Sequence, residues 1–245
     1  HPEYRRQRQM CIRDSWKVQL LEFLANRKHE SGIVYCLSQK LTEQCAEFLQ
    51  SEEFNAHPFH AGLDTQVKID TQDKFMTEDN VVVCATIAFG MGIDKADVRY
   101  VAHISLPSSM EAFYQEIGRA GRDGLEADTL LIFGLQDLFQ RKRFIDMSDA
   151  HDSFKIKEHK RLDALIAYCD SATCRRQTLL SYFKETCEPC GKCDNCLNPP
   201  LMIDGTECAQ MVLSAIYRTG QFFGSGHIVD AVSYTHLTLP TIFRV

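Results

Sequence analysis

Short, largely apolar runs that alternate with helical patterns restrict this chain more than any other feature. Gly32–Cys36 and Val81–Ala85 are such runs without a polar position, Val98–Ile104 carries Arg99 and His103, Thr129–Phe133 opens on Thr129, and Ala56–Phe59 is a weaker one. Side chains alternate between the two faces of a strand, so a run with no polar position must be covered on both. Helical stretches between the runs can supply that cover. Residues 16–27 place Val18, Leu20, Leu21 and Leu24 on one stripe, and residues 40–50 do the same with Leu41, Cys45, Phe48 and Leu49. Further helices are expected over 65–77, over Met110–Gly118 and from Leu135 onward. Residues 16–150 are therefore predicted to form an α/β domain with a doubly wound parallel sheet.

Beyond residue 150 the strand signal stops. Residues 155–169 read as a helix carrying Ile156, Leu162, Leu165 and Ile166, and residues 175–185 as another. A cysteine-rich stretch over 187–196 follows, and Pro199-Pro200 ends it as a helix-incompatible linker. Residues 206–217 begin a further amphipathic helix. The expected division is thus 16–150, 151–200 and 201–231. Residues 1–15 and 232–245 read as a non-native leader and tail, resembling translated adapter sequence rather than natural variable ends, and are left out of the fold argument.

Composition excludes several classes. The 245 residues are 44% hydrophobic and 24% charged, which is ordinary for a globular chain and rules out wholesale disorder. The longest apolar run, at 81–93, is broken by Thr86, Gly90 and Gly92 and is shorter than the roughly 18 residues of a membrane span. A soluble, cytoplasmic protein without a membrane partner is expected. The net charge of −6 gives no basic surplus of the kind nucleic-acid binders usually carry. Cysteine is in excess, with 11 in all, an odd number and without an apolar leader that would mark secretion.

Four of those cysteines have ligand spacing. Cys190, Cys193 and Cys196 form C-x2-C-x2-C, with 15 residues between Cys174 and Cys190. Four thiolates close a tetrahedral shell around zinc and leave no position for water, which makes the site structural. An iron–sulfur run would continue with C-x3-C-P, whereas Cys196 is followed by Leu-Asn-Pro-Pro. Cys187 is an alternative ligand in place of Cys190. The other cysteines read as small apolar residues.

The string Gln115-Glu-Ile-Gly-Arg119-Ala-Gly-Arg122-Asp-Gly places two arginines three apart, on one helical face, among small residues. Guanidinium forks presented this way suit charge developing on a transferring phosphoryl group, although most such arginines only form surface salt bridges. Ala85–Lys95 directly follows an apolar run. There Gly90 and Gly92 can turn amides toward an anion, and Asp94 can accept from a ribose hydroxyl or pair with an arginine; a plain strand-to-helix turn is the bland reading.

Taken together, these strings resemble the RecQ family of DNA helicases over about residues 16–231. Residues 115–124 resemble its motif VI and residues 85–95 its motif V. Gly32–Cys36 resembles the motif IV strand, His60-Ala-Gly-Leu63 the family's HAGL turn, and Val101–Ile104 the strand leading to motif VI. Thr173–Arg176 and Glu188–Gly191 resemble its zinc-binding subdomain. The resemblance implies a RecA-like parallel-sheet lobe, then a small helical zinc-binding subdomain, then the start of a winged helix. It implies that Arg122 or Arg119 completes an ATP site shared with another lobe, with Gln115, Gly90, Gly92 and Asp94 toward the nucleotide. His60 and Thr86 would lie toward DNA, and Cys174, Cys190, Cys193 and Cys196 would hold structural Zn2+. ATP with Mg2+ would bind mainly through a lobe carrying a G-x-x-x-x-G-K-[ST] loop and a Walker-B motif, neither of which occurs in these residues. Single-stranded DNA and duplex junctions are the implied partners, with single-strand-binding or recombination proteins possible. Two other classes stay open: a DEAD-box-like RNA helicase lobe, and a non-enzymatic zinc module that binds nucleic acid.

Overall fold

The computed structural model describes residues 15–89, 94–202, 204–220, 222 and 224. The sheet strands are β1 (Ser31–Tyr35), β2 (Asn55–Phe59), β3 (Val81–Ala85), β4 (Val98–His103) and β5 (Asp128–Leu131). All their pairings are parallel, in the order β2-β3-β1-β4-β5. The helices in the same stretch are α1 (Ser15–Leu24), α2 (Gln39–Ser51), α3 (Thr65–Thr77), α4 (Met110–Ile117) and α5 (Leu135–Asp146). They are followed by α6 (Asp152–Asp170), α7 (Arg175–Tyr182), α8 (Asp194–Leu197) and α9 (Thr206–Arg218). This is the predicted RecA-like parallel lobe.

Strand alternation divides the core between the two faces. Val34, Val82, Cys84, Tyr100 and Ala102 join Leu20 and Leu24 of α1 and Cys45 and Leu49 of α2 on one side. Ile33, Tyr35, Val81, Val83 and Val101 join Phe75 of α3 and Phe89 on the other. Every residue of β1 and β3 is buried, as expected of strands with helices on both faces. Gly32 is dictated by its neighbour: a Cβ there would stand 2.0 Å from the Tyr100 ring, whose strand position it pairs.

Two helix starts are written into the sequence. Ser38 accepts the Leu41 N–H at 3.2 Å and caps α2, and Ser109 accepts the Ala112 N–H at 3.2 Å and caps α4. A third core forms where Leu106, Met110 and Phe113 meet Leu162 and Leu165 of α6 and Leu179 of α7. Leu162 and Leu165 are buried as expected, but Ile156 is largely exposed, because α6 starts at Asp152 and its first turns lie beyond that core.

By contacts, the sheet and helices α1–α7 make one compact unit, while α8 and α9 belong to a second. The expected leader and tail fall almost wholly outside the described residues, as does most of 221–231. Among the described residues no helix is long and apolar enough to cross a membrane.

Candidate functional site

In an open α/β sheet the ligand crevice lies beyond the carboxyl ends of strands whose connections leave in opposite directions. Here that point falls between β1 and β4. The chain leaves β1 toward β2 and leaves β4 toward β5, on the other side of the sheet. Tyr35 ends β1 and His103 ends β4, and their rings stack at 5.1 Å with 22° between planes. His103 Nε2 lies 2.7 Å from a carboxylate oxygen of Glu116, and the Phe113 ring meets His103 edge-on at 5.2 Å. The Tyr35 hydroxyl donates to the Phe89 carbonyl at 3.1 Å. Burial pushes that phenol above its ordinary range, with the Arg119 guanidinium opposing and the Glu116 carboxylate adding to the rise.

The arginine string departs from the sequence expectation. Arg119 and Arg122 do not share a helical face, because α4 ends at Ile117 with Gly118 as its cap. Its last turn tightens through Arg119 N–H to Glu116 O (3.3 Å) and Ala120 N–H to Ile117 O (3.1 Å). Gly121 then adopts φ +65°, and its N–H bonds the Val98 carbonyl at 2.9 Å, drawing the loop back onto the sheet. The physical reason is competition: the carbonyls of Ala96, in the turn before β4, and of Val98, its first residue, capture amides that a longer helix would have used. Arg99 clamps the same loop, reaching the Glu126 carbonyl (3.1 Å) and the Asp123 carboxylate. The hydrogen bond from Arg99 holds the Asp123 carboxyl below its usual range.

Arg122 pairs with Asp94 at 2.6 Å, so the structure joins the two strings at an exposed ion pair. Arg119 is half-buried, with its guanidinium near enough to the Tyr35 phenol to oppose the rise that burial causes. Gln115 is exposed on α4, and Thr86 is half-buried, its N–H bonding the Phe59 carbonyl at 3.2 Å. Gly90 and Gly92 lie outside the described residues. His60 is 3% exposed and its Nε2 sits 3.2 Å from Glu43, so its ring faces inward rather than toward solvent. Sequence reasoning carried Tyr35, His103, Glu116 and Arg99 inside its strings but gave none of them a role. Beyond membership of those strings, the signal for the first three was a polar group inside an apolar run or on the buried stripe of a helix.

The four expected ligands do converge. The sulfurs of Cys174, Cys190, Cys193 and Cys196 all lie within 4.8 Å of one another. A tetrahedron with Zn–S bonds of about 2.3 Å has edges of about 3.8 Å, and the Cys193–Cys174 sulfurs are 3.9 Å apart. That separation fits a shared ion and is far too long for a disulfide. Local backbone makes the knuckles. Gly191 takes φ +68° between Cys190 and Cys193, and Cys196 N–H bonds back to the Cys193 carbonyl at 3.0 Å. The Asn195 amide donates to the Thr173 carbonyl at 2.7 Å, beside Cys174. Cys187 is not among the four; its carbonyl accepts from Gln177 instead.

A parallel RecA-like lobe whose arginine loop after α4 pairs with Asp94, joined in sequence to a four-cysteine zinc centre, defines the class: a helicase-type C-terminal lobe with a zinc module. The chain belongs to the RecQ family. Residues 16–124 match the helicase conserved C-terminal domain, residues 135–197 the RecQ zinc-binding domain and residues 199–233 the RQC domain. It is 42% identical to the ATP-dependent DNA helicase RecQ of Haemophilus influenzae over 219 residues, 89% of this chain and 35% of that protein. The RecQ helicase of Bacillus subtilis is 38% identical over 86% of this chain and 36% of its own length. The RecQ-like DNA helicase BLM of Xenopus laevis is 44% identical over 70% of this chain and 14% of its own length. The chain therefore spans about a third of the bacterial relatives it matches.

Proposed function

We propose that this chain is the part of an ATP-dependent, 3′-to-5′ DNA helicase of RecQ type that supplies the second RecA-like lobe, the zinc module and the opening helix of a winged-helix domain. The observation that carries this reading is the pairing of Arg122, exposed at the loop after α4, with the four-cysteine cluster farther along the chain. A bare RNA helicase lobe of DEAD-box type would account for the arginine but not for the cysteines. ATP, with its Mg2+, would bind mainly through the phosphate-loop lobe. Arg122, assisted by Arg119, would approach the nucleotide from this side and stabilise the charge of the transferring phosphoryl group. Gln115 and Asp94, with Gly90 and Gly92, would line the nucleotide edge. Thr86 would face DNA, and His60 would hold the turn that does so. Zinc here supplies cross-linking, not chemistry, because four thiolates leave it no open position. Single-stranded DNA and duplex junctions are the proposed substrates, in the cytoplasm, with single-strand-binding or recombination proteins as partners.

Strand displacement by the full-length protein on matched DNA and RNA duplexes tests the substrate. DNA should be unwound and RNA left intact, and the reverse would return the RNA-helicase reading. In the same protein, Arg122→Ala should lower ATP turnover by roughly 100-fold or more with nearly normal ATP affinity. Lost affinity with retained turnover would reassign Arg122 to ground-state binding.

A further inference from the structure

The loop that presents Arg122 has little apolar packing to hold it. Residues 122–126 are all exposed, and even Leu125 is 67% exposed. Gly121 and Gly124 stand at φ +65° and +80° on either side of Arg122, so the backbone there has other courses open to it unless it is tied down. Hydrogen bonds do the tying, and most of them converge on one side chain. Arg99, the second residue of β4, donates from Nε to the Asp97 carbonyl at 3.1 Å and from Nη1 to the Glu126 carbonyl at 3.1 Å. Its Nη2 donates to the Ala96 carbonyl at 3.3 Å and to the Asp123 carboxylate.

Two of these acceptors lie in the 94–97 segment and two in the 121–126 loop. The first stretch carries Asp94 and the second Arg122, and the two side chains pair at 2.6 Å. The 94–97 side is anchored in turn: Lys95, 6% exposed, donates to the Glu78 carbonyl at 3.1 Å and pairs with Asp97 at 3.3 Å. Backbone bonds run beside the guanidinium, from Gly121 N–H to the Val98 carbonyl at 2.9 Å and from Asp123 N–H to the Ala96 carbonyl at 3.3 Å. An exposed ion pair such as Arg99–Asp123 adds little stability by itself. A planar fork that serves two segments at once does something different: it fixes their spacing. A lysine ammonium, a point charge on a flexible stem, cannot do the same.

We propose that Arg99 is a positioning residue for Arg122: it locks the 121–126 loop against the 94–97 segment and so sets the direction in which the Arg122 guanidinium points. The inference rests on the helicase reading, in which Arg122 stabilises the transferring phosphoryl group and a misdirected fork costs rate rather than nucleotide affinity. Arg99 spends its donors on the protein, so it acts through the loop and not on the nucleotide.

The test is a double-mutant cycle in the full-length protein, with DNA-stimulated ATP turnover as readout. Arg99→Lys should lower kcat roughly tenfold, with KM for ATP within about twofold of wild type. In an Arg122→Ala background the same change should alter the residual kcat by less than about twofold, because the loop then has no guanidinium to aim. Unchanged kcat in Arg99→Lys would overturn the assignment. So would a raised KM at normal kcat, or effects that simply multiply in the double variant. Thermal unfolding separates positioning from scaffolding: the midpoint of Arg99→Lys should stay within about 5 °C of wild type, and a larger fall would make Arg99 a requirement of folding and overturn the positioning role. Wild-type turnover in Arg122→Ala would remove the reading of Arg122 and this inference with it, whereas a crippled Arg122→Ala beside a silent Arg99→Lys removes only the inference.

Discussion

The sheet lobe and the cysteine segment use the same residue for opposite purposes. Cys45 and Cys84 sit with sulfurs 3.6 Å apart, almost the 3.9 Å that separates Cys174 from Cys193. Yet the first two are buried among Val34, Leu49 and Tyr100, and burial pushes the Cys84 thiol up, keeping it protonated as a small apolar group. Of the ligands only Cys174 is buried, and from residue 181 to 200, where the other three lie, no residue is buried at all. A segment that removes so little apolar surface from water cannot offset the entropy of ordering its backbone. A metal ion supplies what packing does not. Sulfur separation alone therefore does not distinguish a core thiol from a ligand; the number of sulfurs that converge, and what surrounds them, does.

The largest test of this contrast removes one ligand. Cys193→Ser should abolish stoichiometric zinc, read by atomic absorption, and strip hydrogen-exchange protection from residues 187–197 while amides of β1 and β3 stay protected. Simultaneous loss of protection in both regions would show that the lobe also depends on the metal. The converse change attacks the lobe. Phe75 is fully buried against Phe89, and Phe75→Ala should cost about 3–5 kcal/mol in denaturant unfolding while leaving zinc content unchanged. A cost under about 1 kcal/mol would mean that this face of the sheet is not a packed core.

A smaller effect should appear in alkali. Burial pushes the Cys169 thiol from an ordinary 9.0 up to about 12. The folded state then holds a proton that the unfolded chain releases. The stability this contributes is complete below pH 9 and is lost as pH rises toward 12, at no more than about 1.4 kcal/mol per pH unit. Cys169→Ala should flatten that slope relative to wild type, and equal slopes would place Cys169 in contact with solvent. The smallest effect belongs to the exposed Arg122–Asp94 pair. Asp94→Ala should change stability by less than about 1 kcal/mol, and a larger loss would make the pair part of the loop's scaffold rather than part of its working surface.

Much of this architecture was legible without coordinates. Runs such as Val81–Ala85 have only one stable environment, and the β3 bounds coincide with the run. The ligand set was readable because C-x2-C-x2-C is a local pattern whose turns are made by the residues within it. The arginine loop was less legible. Its sequence favours a helix through Gly118, but the loop's end is decided by carbonyls at Ala96 and Val98, more than twenty residues away. His60 was named for an outward task, and its inward orientation depends on Glu43 of α2, which no pattern around His60 announces.

The sequence by itself determined the alternation of buried strands and helices, the four-thiolate centre and the family, since each is encoded by neighbours along the chain. Only the tertiary structure decided that Tyr35, His103 and Glu116 meet. Their strands are brought together by parallel pairing across crossovers, and the contacts of such a sheet link residues that sequence spacing leaves unrelated.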